Sequence, residues 1–158
     1  MSAPLDSPRA VYEQALRWLT RRSYGERELA RRLKGNGAST ETTEQALNRC
    51  RELGYLDDAA FARSRARTRF GQGQGAVRVR GELLLLGIDA AIVQTVLEEE
   101  MAESDPVDQA EQVLEKRFGP VAGQGASLTF KERRQRHDFL ARRGFDGDVI
   151  DAVLSGRR

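Results

Sequence analysis

The stretch Gly54–Ile88, GYLDDAAFARSRARTRFGQGQGAVRVRGELLLLGI, predicts how the whole chain is organised. It contains an acidic helix start, a helix with four arginines, a glycine-rich loop and a second arginine-led helix. Between Ala59 and Gly81 there are six arginines and no acid, whereas Glu82–Glu115 holds ten acids and no base. This alternation of charge suggests contact with a polyanion on some surfaces and with protein on others.

The composition narrows the class of protein. Only 6% of the 158 residues are aromatic and 32% are charged, which favours several small cores over one large core. The single cysteine, Cys50, excludes an internal disulfide and a multi-cysteine metal site, and we expect it in a core. The chain shows neither a signal peptide nor an apolar run that could span a membrane. We therefore expect a soluble, cytoplasmic, monomeric protein without a cofactor.

Apolar spacing and capping residues predict the same three-helix pattern three times along the chain. Ser23 is a candidate N-cap of the second helix, with Glu26 completing a capping box. Asp57 is the candidate cap of the fourth helix, and Asp105–Pro106 suits the start of the seventh. Glycines that end the middle helices recur about every fifty residues, at Gly37, Gly87 and Gly144.

This repetition predicts an all-α fold of three tandem three-helix repeats, similar to helix-turn-helix units, in an elongated, curved array of either hand. The predicted repeats are residues 9–54, 55–103 and 104–158, after a disordered tail at residues 1–8. Each repeat is too small to bury its apolar faces alone, so neighbouring repeats should stack. The leucines of Leu83–Leu86 lie on more than one side of their helix, which predicts contacts on more than one side.

The arginines of the central stretch are the main candidates for binding. On a helical wheel, Ala59, Ala62, Ala66 and Phe70 form an apolar stripe with arginines along both edges. Arginines four residues apart repel each other mildly, so four of them without a compensating acid predict an external anion. A solvated arginine face is the alternative. With two arginines from the later basic helix, the predicted binding residues are Arg63, Arg65, Arg67, Arg69, Arg78, Arg80, Arg134 and Arg142.

Signals for catalysis are weak. His137 is predicted to be a surface residue, and helix capping accounts for the pair Asp57–Asp58. The loop Gly71–Gly75 lacks the preceding strand and the Lys-Ser/Thr that define a phosphate-binding loop. The acids between Glu98 and Glu103 are best explained as a solvated helix end. We therefore predict no catalytic residue, no metal ligand and no enzymatic activity.

Several segments together resemble the RecX family of bacterial regulatory proteins. They are Glu28–Leu33 (ELARRL), Gly54–Asp58 (GYLDD), Phe61–Arg63 (FAR), Gly75–Leu83 (GAVRVRGEL) and Phe139–Phe145 (FLARRGF). The resemblance spans about Ala10 to Leu154. It implies an all-helical, elongated protein of three repeats that binds the filament of the RecA recombinase.

The resemblance also implies how such a protein would act. It would lie in the helical groove of the filament, contact RecA and DNA, suppress ATP hydrolysis and strand exchange, and favour filament disassembly. Arg63, Arg67, Arg78 and Arg80 match arginines of the family's central motif, and no catalytic residues are implied.

Two functions from different classes remain open. The first is a modulator of RecA in DNA repair and the SOS response, with weak non-specific binding to single- or double-stranded DNA. The second is a helix-turn-helix-type DNA-binding protein that acts without RecA. A small hydrolase or nuclease has almost no support from the residues. The sequence leaves open whether the acids of residues 98–115 contact a partner.

Overall fold

The computed structural model describes residues 4–120 and 128–156, and every regular element in these ranges is a helix. The helices are α1 (Pro8–Leu19), α2 (Glu26–Gly35), α3 (Thr40–Glu52), α4 (Asp58–Gly71), α5 (Ala76–Leu85), α6 (Ala90–Glu103), α7 (Pro106–Phe118), α8 (Phe130–Arg143) and α9 (Gly147–Ser155). Three consecutive trios make three tandem repeats, which confirms the predicted fold class. None of the described helices is long and apolar enough to cross a membrane.

The turn between the second and third helix has the same backbone geometry in each repeat. Its glycine adopts φ of 98°, 84° and 90° at Gly37, Gly87 and Gly144, a region that residues with a Cβ rarely occupy. The next residue donates its N–H to a leucine carbonyl of the preceding helix over 3.1 Å, in the pairs Ala38–Leu33, Ile88–Leu83 and Phe145–Leu140. The predicted glycine stops are therefore confirmed.

The residue after each of these turns caps the third helix of the repeat. Ser39 Oγ accepts the N–H of Thr42 at 3.1 Å. The carboxylates of Asp89 and Asp146 do the same for α6 and α9, at 2.9 and 3.0 Å. A glycine turn and a polar cap thus set where each third helix begins.

The chain divides into two compact units, and the first comprises the residues up to 62 together with Leu83–Val93. Its core lies between α1, α2 and α3, where Val11, Leu29, Leu33 and Cys50 are fully buried. Burial raises the pKa of the Cys50 thiol. The expectation of a core cysteine is therefore met.

The N-terminal segment differs from the predicted disordered tail. Leu5 is buried in the core of the first unit. Ser7 caps α1 by accepting the N–H of Ala10 at 3.1 Å, and Pro8 is the first residue of that helix. Residues 1–3 lie outside the described residues.

The second unit comprises residues 63–82 and the chain from 94 onwards. Its core between α7, α8 and α9 includes Ala110, Leu114, Leu140 and Ile150. Beside this core the rings of Phe118 and Phe139 meet edge to face, with centroids 5.5 Å apart. The two units do not coincide with the repeats, because the division falls within α4, α5 and α6. The predicted repeat boundaries stay a prediction.

Within the second unit, the start of α5 is bonded to the glycine turn of the third repeat. The N–H of Gly75 donates to the carbonyl of Arg143 at 2.8 Å, and the N–H of Val77 donates to the carbonyl of Gly144 at 2.9 Å. The first N–H groups of a helix have no hydrogen-bond acceptor inside it, so these bonds supply acceptors that the start of α5 would otherwise lack. The backbones meet closely: a methyl group on Gly75 would lie 2.4 Å from the Gly144 carbonyl.

Within the first unit, α2 also takes its cap from the following repeat. Its N-cap residue is Gly25, which has no side chain to offer, and the N–H of Glu26 donates to Asp58 Oδ1 at 2.9 Å. The predicted Ser23–Glu26 capping box is therefore wrong, since α2 begins at Glu26. Asp57 caps α4 as predicted, through the N–H of Ala60 at 3.0 Å. The pair Asp57–Asp58 thus caps two different helices.

We expect Gly75→Ala to lower the free energy of unfolding by about 1–3 kcal/mol, because the new methyl group overlaps the backbone of the next repeat. Gly81→Ala in α5 is the matched control. Nothing lies within 4 Å of its Cβ position, so better helix propensity should stabilise the protein by roughly 0.5–1 kcal/mol. Urea unfolding followed by circular dichroism measures both. Equal effects of the two substitutions would contradict the close approach at Gly75.

We expect substitutions of Asp58 to separate its charge from its role as a cap. Burial raises the pKa of this carboxyl, so the folded state holds its proton more firmly than the unfolded state. The corresponding stability is present at acidic pH and is lost as the pH rises through the raised pKa. Asp58→Asn keeps an acceptor without the charge and should therefore equal or exceed wild type in stability at pH 7.

This advantage should disappear below about pH 4, where the carboxyl is protonated in both states. Asp58→Ala, which removes the acceptor, should cost about 1 kcal/mol at pH 7. Urea midpoints of the three proteins at both pH values provide the measurement. An Asn variant that unfolds before the Ala variant at pH 7 would rule out the cap.

Candidate partner-binding surface

The arginine-rich helix α4 has the orientation that its sequence predicts. Ala62 and Ala66 are fully buried on its inner face. Arg63 and Arg67 lie along one edge of that face, and Arg65 and Arg69 lie along the other. Because the two edges are on opposite sides of the helix, each can reach a different neighbouring element.

Arg65 and Arg69 converge on one carboxylate of α5. Arg65 Nε lies 2.6 Å from Glu82 Oε1, and Arg69 Nε lies 2.9 Å from Glu82 Oε2. Partial burial raises the pKa of Glu82, but hydrogen bonds from Arg69 and Arg65 and their charges outweigh this and hold the pKa below its ordinary value. One acid thus joins two arginines of α4 to α5.

Arg63 and Arg67 bind the acids at the end of α6. Arg67 Nε donates to both oxygens of Glu100, at 2.8 and 3.0 Å, and Arg67 also approaches Glu103 at 3.4 Å. Arg63 Nη2 lies 2.8 Å from Glu99 Oε2. The Glu100 side chain is only 6% exposed, so its charge depends on these arginines.

The expectation that these four arginines lack a compensating acid is wrong. Their acids come from the block that follows in sequence, which the structure places against them. The acids Glu99, Glu100 and Glu103 are therefore not the solvated helix end that the sequence predicted, and together with Glu82 they have a structural role. Unpaired charge no longer supports partner binding by Arg63, Arg65, Arg67 and Arg69, and their assignment stays a prediction.

None of the other four predicted residues binds a buried acid in the described part of the chain; Arg78, Arg134 and Arg142 are exposed, and Arg80 is half-buried. Arg78 is exposed and donates to the carbonyl of Arg142 at 3.2 Å, while Arg80 donates to Gln94 Oε1 at 2.7 Å. Arg134 is 74% exposed, and its nearest acid, Asp138, is 4.0 Å away. The side chain of Arg142 is exposed and has no partner among the described residues. The structure thus brings Arg78 close to the backbone of Arg142 and leaves both side chains accessible.

The structure also shows the exposure of His137, of the leucine run in α5 and of the cations on α2. His137 is exposed, as predicted. In the leucine run only Leu83 is buried, and Leu84 and Leu85 are 44% and 82% exposed, so the prediction of contacts on more than one side is wrong for these two. Sequence reasoning also missed the exposed cations of α2, although Arg27, Arg31 and Lys34 have the i, i+4, i+7 spacing of a single helix face.

Comparison with known proteins matches all three helix trios to one family. Models of the first, second and third three-helix domains of RecX match residues 12–50, 57–97 and 103–154. A protein from Pseudomonas putida (strain GB-1) named Regulatory protein RecX is 40% identical over 157 residues, which is 99% of this chain and 97% of the relative. A protein of the same name from Legionella pneumophila (strain Corby) is 38% identical over 144 residues, 91% of this chain and 92% of the relative.

A solved structure has the same fold. The crystal structure of RecX from Lactobacillus salivarius matches with a TM-score of 0.81 and 19% sequence identity, over 94% of this chain and 95% of that chain. At this level of identity the likeness concerns the fold alone.

We expect Glu82→Gln to lower the free energy of unfolding by about 1–2 kcal/mol at pH 7, because two arginines lose a charged acceptor. Because the pKa of Glu82 is lowered by folding, its contribution is present above the pKa of the unfolded chain and is lost as the pH falls through the folded value. The difference from wild type should therefore shrink below about pH 4.

Urea unfolding of both proteins between pH 3 and pH 7 checks this, with Glu115→Gln, an exposed carboxylate of α7, as the control. A difference that is the same at every pH, or that the control reproduces, would contradict the ionic role of Glu82.

Proposed function

Because this chain belongs to the RecX family, we propose that it binds the RecA recombinase filament on DNA and modulates it. It inhibits or otherwise modulates ATP hydrolysis, strand exchange and the coprotease activity of RecA in DNA repair and the SOS response. The observation that carries the proposal is the match of all three RecX domain models, in order, together with near full-length relatives named Regulatory protein RecX.

The way the repeats are joined supports a binding role. In each unit the start of a middle helix is bonded to residues of the next repeat, which fixes the backbone at that joint. A preorganised surface loses less conformational entropy when it binds. Several weak contacts then reinforce one another on a filament that repeats its own binding sites.

The contacts with the filament involve the four predicted arginines that bind no buried acid in the described ranges, Arg78, Arg80, Arg134 and Arg142. Their guanidinium groups suit phosphates of DNA as well as acidic side chains of a protein. The protein acts in the cytoplasm, as a monomer, by binding rather than by catalysis, and it also binds single- or double-stranded DNA weakly and without sequence preference.

One structural feature favours the rival function, a DNA-binding protein that acts without RecA. The second and third helices of each repeat are joined by a glycine turn, as in helix-turn-helix modules. That function requires tight, sequence-selective binding to a duplex. The proposed one requires weak, salt-sensitive binding to DNA alone.

We expect the protein, in stoichiometric excess, to lower the steady-state rate of ATP hydrolysis by RecA on single-stranded DNA. The quadruple variant Arg78→Gln, Arg80→Gln, Arg134→Gln, Arg142→Gln should inhibit less and keep the thermal midpoint of wild type, because none of these side chains holds a buried acid.

The matched control carries the same loss of charge at Arg63, Arg65, Arg67 and Arg69. It should lower the thermal midpoint, because Glu82 and Glu100 lose their partners. Wild-type protein that affects neither ATP hydrolysis nor strand exchange would overturn the proposed function. Unchanged inhibition by the first variant would overturn only the assignment of its arginines.

A further inference from the structure

Most cations in the described part of the chain have an internal partner, and the exceptions concentrate around α2. Those whose side chains make no hydrogen bond, ion pair or aromatic contact in residues 4–120 and 128–156 are Arg21, Arg27, Arg31, Lys34, Lys116, Lys131 and Arg142. Three of them lie on α2, and Arg21 lies in the turn before it. Among the other helices in the described ranges, only α8 carries more than one, namely Lys131 and Arg142 at its two ends.

The three cations of α2 share its outward face. Arg27, Arg31 and Lys34 are exposed and follow the i, i+4, i+7 spacing. Leu29 and Leu33, on the opposite side, are fully buried and fix how the helix is turned. Neighbouring cations on such a face have Cβ atoms about 5–6 Å apart and repel one another, which an external anion would relieve.

The acids of α2 do not neutralise this face, because both are bound elsewhere. Glu26 accepts from Arg51 Nε of α3 at 2.8 Å. Glu28 accepts from Arg22 Nη2 at 2.5 Å. The positive charge of the outward face therefore stays uncompensated, in contrast to that of α4.

One of these cations is held in place by the following repeat. The stem of Arg27 crosses Gly87 so closely that a methyl group there would lie 2.8 Å from Arg27 Cβ and Cδ. Packing of an arginine stem restricts its rotamers while the charged head stays in water. A guanidinium held in this way loses less entropy when it binds a phosphate.

We infer that the outward face of α2, made by Arg27, Arg31 and Lys34, is a contact surface for the phosphodiester backbone of DNA. The inference rests on the proposed function, because a protein that binds the RecA filament comes close to the DNA that the filament carries. The face presents charge without an aromatic side chain for stacking, so it binds phosphates and not bases. It lies outside the arginine-rich stretch that dominates the sequence, whose charges on α4 are consumed by internal acids.

The test is binding of the full chain to a fluorescein-labelled oligothymidine and to a duplex of equal length, by anisotropy across a series of KCl concentrations. Each phosphate contact contributes about 0.7 to the salt slope for a single strand and about 0.9 for a duplex. The variant Arg27→Gln, Arg31→Gln, Lys34→Gln should therefore lower the slope for the single strand by about 2 and weaken binding roughly tenfold in low salt.

The matched control removes the same charge elsewhere, as Arg9→Gln, Lys116→Gln, Lys131→Gln, and should bind within about twofold of wild type if location matters more than net charge. A charge-keeping variant, Arg27→Lys, Arg31→Lys, should retain most of the slope. Equal losses in both triple variants, an unchanged slope in the α2 variant, or no DNA binding by wild type in low salt would each overturn the inference.

Assays of RecA ATP hydrolysis on the same proteins separate this inference from the proposed function. Wild type that inhibits RecA while the α2 variant binds DNA normally leaves the function standing and overturns the surface. An α2 variant that loses DNA binding, beside a wild type that has no effect on RecA, establishes the surface and overturns the function.

Discussion

The start of a middle helix is where one repeat depends on the next. The first N–H groups of any helix lack partners within it, and α2 and α5 satisfy some of theirs with groups of the following repeat. Asp58 does this for α2, and the carbonyls of Arg143 and Gly144 do it at the start of α5. The middle helix of the third repeat, α8, instead has its own capping box of Thr129 and Glu132. The groups that cap the starts of α2 and α5 therefore also join one repeat to the next.

Glycine makes these joints possible. Gly75 has to lack a side chain because the backbone of the next repeat lies where its Cβ would be, and Gly144 combines that crowding with a positive φ. The same glycine turns place Ile88 and Phe145 in buried positions. Within the second unit, the joint between α5 and the third repeat thus rests on backbone contacts at Gly75 and Gly144.

The acids near α4 bind its arginines, whereas the acids near α2 leave three of its cations without a partner in the part of the chain that the structure describes. Cys50 is a buried apolar residue near the end of α3, whereas Glu100, fifty residues later, occupies the corresponding buried position in α6. That carboxylate binds Arg67 and lies near Arg63, and Glu82 binds the other two arginines of α4, so the charges of this helix serve internal structure. On α2 the acids are bound by Arg51 and Arg22, and Arg27, Arg31 and Lys34 have no side-chain partner among the described residues. Which cations remain available to a partner therefore depends on which cations the acidic side chains bind.

The sequence by itself determined the all-α class, the three repeats, the glycine stops and the orientation of α4, because helical periodicity and capping are local properties. It also showed the basic and acidic blocks. Only the tertiary structure decided that these blocks pair with each other, since Arg67 and Glu100 are 33 residues apart and nothing local brings them together. The cap of α2 was mispredicted for the same reason, because its acceptor is Asp58, 32 residues away from Glu26. Contacts between residues far apart in sequence decide which charged side chains remain available for a partner. The local sequence pattern does not show which side chains these are.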